Sequence, residues 1–435
     1  MTDIEAKIDE AVRGGLDSLS LSDLGLTAVP DSLRDLPHLV RLDVGHNQIS
    51  EIPKWIGELS NLEQLDLSQN VIREVGEDIG GLANLKALSL AGNRLVRLPE
   101  SIAGMGGLEL LNLSENSFQS IAEWVGELSA LKDLRLRSSK LSSLPDSFEK
   151  LTDLRSLELG ANQFHEIPRH LAHLDRLRSL RIGGNPLKPS LESLANVSQV
   201  QSLDLTLCDV NILPDPLRQI VGLRSLSLGN NGITELPNWI GEYSDLREFD
   251  LRMNQVEGMP DTFGNLSSLR VLHLMGNRLE EVPRVIRKLT SLSTLSLMSN
   301  ELRSIPVWIG ELKDLESLDI SRNKLVELPN SIGDLKKLKT FRAAHTQLTN
   351  FPEWVARLEA LEQLDLDNNY LRHVPASVAN LVELKRLSLS NNQIPELPAV
   401  VAALPALTNL FLENNPCGPQ FTGATLVNRP GMPPG

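Results

Sequence analysis

The chain has 435 residues, with 56 acidic against 42 basic side chains and a net charge of −14. That balance argues against nucleic acid as a partner, because nucleic-acid binders carry a basic footprint. Two cysteines, Cys208 and Cys417, cannot build a disulfide framework, and no stretch reaches the roughly 18–20 apolar residues of a membrane helix.

The first element, residues 1–15, reads as an amphipathic cap. Thr2-x-x-Glu5 has the wording of a capping box, Ile4, Ile8, Ala11 and Val12 recur at helical spacing, and Gly14-Gly15 ends the pattern. This start is charged and lacks a long apolar run, so it is not an ordinary secretory signal. A reduced, cytoplasmic setting follows as the expectation, with export as an effector without a recognisable signal as its alternative.

From residue 16 to 415 one unit repeats. A polar slot recurs every 23 residues without insertion or deletion, seventeen times from Asn47 to Asn415, preceded by a unit centred on Leu24. Each slot closes a segment such as Leu62-x-x-Leu65-x-Leu67-x-x-Asn70-x-Ile72. A period in this range means a solenoid of about eighteen units, an α/β architecture read as one domain. The alternating leucines, as in Leu111-Asn112-Leu113, predict a short strand with one apolar face. Successive strands are expected to stack in parallel. The slot residue is expected to be buried, because a carboxamide can pair backbone groups freed by the turn after the strand. Ser139, Cys208 and Thr346 occupy the slot in three units, so the Cys208 thiol reads as a buried ladder group rather than a nucleophile.

The return half reads Leu-Pro-x-x-Ile-Gly-x-Leu, as in Leu236-Pro237-Asn238-Trp239-Ile240-Gly241. Proline predicts a short helix or 3-10 turn there, with proline in its first turn. The return is bulkier than the strand, so the stack is expected to form a horseshoe with a parallel inner sheet and the turns on its convex side. Trp55, Trp124, Trp239, Trp308 and Trp354 share one column of this segment, which points to packing between neighbouring turns. Gly76 and Ala122 replace the proline. After Asn185 the Leu-Pro pair becomes Ser190-Leu191, and Ser190 reads as the cap of a true short helix carrying Leu191, Leu194 and Val197. The last element, residues 416–435, is rich in proline and glycine and reads as a flexible tail.

This wording resembles the intracellular leucine-rich repeat proteins with 23-residue Leu-Pro-x-x-Ile-Gly-x-Leu repeats, both Ras-group and bacterial. The opening from Ile8 to Pro30 is similar to the start of repeat arrays in bacterial Roco proteins and secreted effector ligases. The resemblance covers about 400 residues; it implies a leucine-rich repeat solenoid and says little of function.

Nothing in the sequence supports catalysis. There is no Gly-x-x-x-x-Gly-Lys-Ser/Thr loop and no Gly-x-Ser-x-Gly elbow, and His165, His170 and His173 lack acidic or thiol companions at ligand spacing. No cofactor and no metal are expected. The signal lies in what differs between copies. The front of the strand face is acidic, with Asp17, Asp23, Asp43, Glu63, Asp66, Glu109 and Glu115 against Arg41 and Lys86. The next units reverse the sign: Lys132, Arg135, Arg137, Arg155, Arg178 and Arg181 face Asp133 and Glu158. Arg135, Glu158 and Arg181 are expected to form one row. A later cluster holds Arg247, Asp250, Arg252, Met253, Arg270, Val271, His273, Met275 and Met298, a composition suited to a binding hot spot.

The expected function is a non-enzymatic scaffold for protein–protein interaction, gripping a partner on its inner sheet, with an acidic segment of that partner on the arginines. The alternative is the recognition arm of a larger enzyme, such as an effector ubiquitin ligase or a Roco GTPase, or a secreted effector that binds host proteins.

Overall fold

The computed structural model describes residues 3–187 and 191–417. The expected roles of Thr2 and Ser190, and the tail beyond Cys417, lie outside the described residues. The chain forms two compact units, one comprising Met1–Asp209 with Pro214–Leu223, the other Val210–Leu213 with Arg224–Gly435.

The first unit begins with an α-helix, Asp3–Gly14. Ile8 and Ala11 are buried against the first coil, whereas Val12 is 43% exposed. Among the described residues nine three-residue strands follow, from Ser18–Ser20 to Ser202–Asp204, each parallel to the next. The second unit carries nine more, from Ser225–Ser227 to Asn409–Phe411, again parallel. Partners differ by one repeat period throughout, as in Leu134↔Leu157 and Leu272↔Leu295. The middle residue of each strand points inward and is buried, while the flanking residues are exposed or half-buried except at Ser388.

Between strands the chain returns through five-residue 3-10 turns such as Lys54–Glu58 and Asn238–Glu242. Proline does not sit inside the first turn, as the sequence led us to expect. It occupies the cap position in extended conformation (Pro53 φ −68°, ψ 147°), and its carbonyl accepts the turn-closing bond from Ile56 N at 3.0 Å. A residue without an N–H is suited to that place, because the cap must accept and has nothing to donate to. The unit after Asn185 is the irregular one. Leu191 takes a left-handed conformation (φ 41°) and leads into a six-residue 3-10 turn, Glu192–Val197, rather than a true α-helix. Leu191, Leu194 and Val197 are still buried, so the turn packs its apolar side chains without α-helical geometry.

Three devices hold one coil to the next. The first is the polar ladder. Asn70 Nδ2 donates to Val44 O, Leu67 O and Ser68 O, each at 3.1 Å, and its Oδ1 accepts from Ile49 N at 2.9 Å. One side chain thus satisfies backbone groups in its own coil and in the coil before it. The second is the turn ahead of the ladder. The residue before each ladder position is left-handed, for example His46 (φ 54°), Gln69 (φ 53°) and Met253 (φ 56°), although few of these are glycine. Side chains there cost roughly 1–2 kcal/mol each, which the buried ladder offsets.

The third is close approach of successive return turns. A Cβ on Gly241 would lie 2.7 Å from the Thr262 carbonyl carbon and closer still to its oxygen, and a Cβ on Gly80 would lie 2.7 Å from Ser101 Cβ. Ala103 stands in this glycine column. Its own turn, Glu100–Gly104, packs less closely against the next one, Glu123–Glu127, than glycine-bearing turns pack against theirs. A cavity of about 110 Å³ opens there, lined by Leu111, Phe118, Ile121 and Trp124 among others.

The tryptophan column packs as expected. Trp55 and Trp354 are buried, and Trp124, Trp239 and Trp308 are half-buried. Trp55 donates Nε1–H to Asp31 at 2.7 Å, and Trp354 meets Phe341 edge-on at 5.5 Å.

Candidate partner-binding face

In the first unit Arg135, Glu158 and Arg181 stand in register on adjacent strands, with Asp204 next in the row. Their guanidiniums do not share Glu158 as the row implies. Arg135 turns back within its own strand onto Asp133, with Nη2 at 2.7 Å and Nε at 3.3 Å. Glu158 instead faces Arg137 at 3.8 Å, and Lys132 pairs with Glu109 at 2.7 Å. Three of the six basic residues are therefore already matched. Arg178 donates to the carbonyls of Asp175 and Leu177 and makes no ion pair among the described residues. Arg155 and Arg181 are exposed and make neither a side-chain hydrogen bond nor an ion pair among the described residues. The carboxylates flanking Arg181 are engaged elsewhere, Glu158 with Arg137 and Asp204 with the N–H of Thr206 at 2.9 Å.

In the second unit Arg252 folds back onto Asp250, with Nη2 at 2.6 Å and Nε at 2.9 Å. His273 aligns with Asp250 and Ser296. Burial holds it below the ordinary histidine range, so the ring is neutral at pH 7. Val271, Met275 and Met298 are half-buried, while Met253 is 52% exposed. Arg247 and Arg270 are exposed, without a carboxylate partner among the described residues.

His170 contacts Asp146 at 2.9 Å and His165 Nδ1 contacts the Gln163 carbonyl at 3.1 Å. Among the described residues no group of three or more His, Cys, Asp or Glu side chains could hold a metal ion. Among them, too, no helix is long and apolar enough to cross a membrane.

A family model described as "Leucine-rich repeat region" matches residues 75–213, 187–301 and 294–369, and a second, "Leucine rich repeat", matches 14–72, 52–95 and 359–416. The chain is a leucine-rich repeat protein. A leucine-rich repeat protein of Leptospira interrogans is 30% identical over 94% of this chain and 93% of its own, at a TM-score of 0.57. The ectodomain of the Arabidopsis receptor kinase HAESA, solved with a peptide hormone ligand, is 26% identical over 92% of this chain and 68% of its own, at a TM-score of 0.57. The receptor of the TLR13–ssRNA13 complex is 25% identical, with a TM-score of 0.70; this chain is covered over 91% but spans only 62% of that receptor. Comparison with curated proteins finds no match.

Within this leucine-rich repeat array the ladder also decides thiol chemistry. Cys208 is fully buried, its Sγ lying 3.6 Å from the carbonyls of Ile182 and Thr206. Burial pushes the thiol up to about 11, so it stays protonated at neutral pH. In the native protein at pH 8, one of the two cysteines, Cys417, is expected to react with an alkylating reagent. Cys208 should react only after unfolding, as mass spectrometry of the labelled peptides would show. Equal labelling rates in the native state would contradict the buried position.

Sequence reasoning missed Arg224. It is exposed and occupies the same position of its coil as Arg247 and Arg270. Reading that one column at the repeat period finds it.

Proposed function

We propose that this leucine-rich repeat chain is a non-enzymatic scaffold that binds a protein partner on its exposed strand face. Within the family we assign it to the 23-residue Leu-Pro-x-x-Ile-Gly-x-Leu class, a reading supported by the constant offset between paired strands. The observation that carries the functional reading is the uneven pairing of charge in the first unit. Lys132, Arg135 and Arg137 are neutralised within the fold, whereas Arg155, Arg178 and Arg181 have no carboxylate partner among the described residues. Arginine in that state suits bidentate capture of a carboxylate on a partner. The HAESA ectodomain, with its peptide hormone ligand, is a precedent on the same fold. The two free cysteines agree with a reduced cytoplasmic setting.

The test is affinity capture with the full chain as bait. Reversing Arg155 and Arg181 together (R155E/R181E) is expected to weaken capture of the main protein partner at least tenfold and to flatten its salt dependence. The change R135E is a poorer probe, because it sets a carboxylate against Asp133. Capture by R155E/R181E within twofold of wild type, at every salt concentration, would overturn the assignment.

A further inference from the structure

The position just before each strand follows a rule from Glu316 to Lys385 in the second unit. Glu316 pairs with Lys339 at 2.8 Å and Glu362 with Lys385 at 2.7 Å, so acid and base alternate and cancel along the column. The rule fails at the start of the unit. Arg224, Arg247 and Arg270 follow one another on adjacent coils, tied by backbone bonds of 2.8 Å from Arg247 N to Arg224 O and from Arg270 N to Arg247 O. None of the three makes an ion pair among the described residues. Three like charges on strands about 4.8 Å apart repel one another, and none has a carboxylate partner among the described residues.

A groove of about 510 Å³ adjoins the column, with Arg247, Arg270, Ser267, Ser268, Ser291 and Ser293 on its walls. Its carboxylates are already neutralised, Asp314 by Lys337 at 2.6 Å and Glu316 by Lys339. The hydroxyl of Ser293 donates to the Arg270 carbonyl at 3.1 Å, which leaves those of Ser267, Ser268 and Ser291 free to turn toward a ligand. Glu248, the residue after Arg247, accepts from Ser225 at 3.3 Å rather than from an arginine.

We propose that the Arg224–Arg247–Arg270 column and its serine-lined groove bind a phosphorylated side chain on the protein partner. The proposal rests on the scaffold reading and names the chemistry of one contact. A phosphate ester carries close to two negative charges and three acceptor oxygens at pH 7. Two adjacent guanidiniums match that charge, and serine hydroxyls supply donors for the remaining oxygen. A carboxylate would use only part of this set. A nucleic-acid strand is a weaker fit, since no aromatic side chain lines the groove for base stacking and the column returns to alternating charge by Glu316.

The experiment uses the full chain and three immobilised peptide pools that share degenerate flanks around a central phosphoserine, glutamate or serine. A single-stranded RNA pool is the fourth arm. The chain is expected to retain the phosphoserine pool at least tenfold better than the other three, with inorganic phosphate competing. The triple variant R224S/R247S/R270S is expected to lose that retention at least tenfold; serine is native to this column at Ser293, and circular dichroism checks the fold. The control K86S/K385S, which removes two paired lysines from the same column position, should change it less than twofold. Equal retention of the glutamate or serine pool, tighter retention of RNA, no retention at all, or an unaffected triple variant each overturns the proposal. If the triple variant still captures the protein partner, the scaffold reading survives and only the phosphate contact fails.

Discussion

Replacing Asn254 with alanine is expected to lower the unfolding free energy by about 3–4 kcal/mol. Asn254 Nδ2 donates to Leu228 O (3.0 Å), Leu251 O (2.9 Å) and Arg252 O (3.3 Å), and its Oδ1 accepts from the N–H groups of Asn231 (3.1 Å) and Ile233 (3.0 Å). Alanine keeps the backbone and removes every one of these partners. The groups left behind are buried, and each orphaned donor or acceptor costs roughly 1–3 kcal/mol when water cannot reach it. The natural replacements show how partial a substitute can be. Thr346 keeps one donor, to Ala343 O at 2.8 Å, and Ser139 one, to Arg137 O at 3.3 Å. Asn254→Thr should therefore fall between wild type and alanine. Urea denaturation with an unchanged m-value is the measurement. A loss below about 1 kcal/mol for alanine would mean that water, not the carboxamide, satisfies the ladder.

Gly241→Ala is expected to cost about 2–3 kcal/mol by the opposite route, overpacking rather than loss of partners. The added methyl would meet the Thr262 backbone carbonyl and the Thr262 Cβ at 2.9 Å, and backbone cannot swing aside as a flexible side chain can. Two coils must then separate along the return side. In a solenoid, stability is a sum of nearest-neighbour terms, so the damage concentrates at one junction. Hydrogen exchange should rise in residues near 238–265 before it rises elsewhere. The matched control is Gly104→Ala, where an added Cβ meets nothing within 4 Å. That substitution should stay within about 0.5 kcal/mol of wild type. A similar loss for both variants would indicate that the contact with Thr262 does not set the glycine column.

Much of the fold was legible because one period governs it. The slot from Asn47 to Asn415 announced the ladder, the leucine alternation announced the strands, and both appear in register in each unit. The form of the return was less legible. Proline marked where the turn begins, but its role as an extended acceptor depends on the carbonyl of Pro53 closing onto Ile56, which composition does not show. The glycine column was visible as wording, yet its reason is a distance between coils.

The candidate face was legible in its charges and not in their pairing. Arg135 and Arg155 look equivalent in sequence. Only the direction of their long side chains separates them, one folded onto Asp133 and the other left open. Arg135 reaches the acid two residues before it, whereas the acid two residues before Arg155, Asp153, is taken by Arg176 a whole period on, where a linear window does not look. The same blindness hid Arg224, whose significance comes from Arg247 and Arg270 on the following coils.

The reach of the ladder carboxamide also governs how such a chain can change its length. Asn277 donates to Leu251 O in the coil before it and to Leu274 O in its own, and Asn254 does the same one step earlier with Leu228 O and Leu251 O. Each side chain addresses its targets by counting residues. Excising one full period between Asn254 and Asn277 brings an equivalent carbonyl to an equivalent amide, and the seam is indistinguishable from any other junction. A deletion one residue longer or shorter leaves the carboxamide facing the wrong atoms. Genes of this kind can therefore be spliced like beads, in whole units, while any other change of length within a coil carries the full cost of the bonds it misaligns.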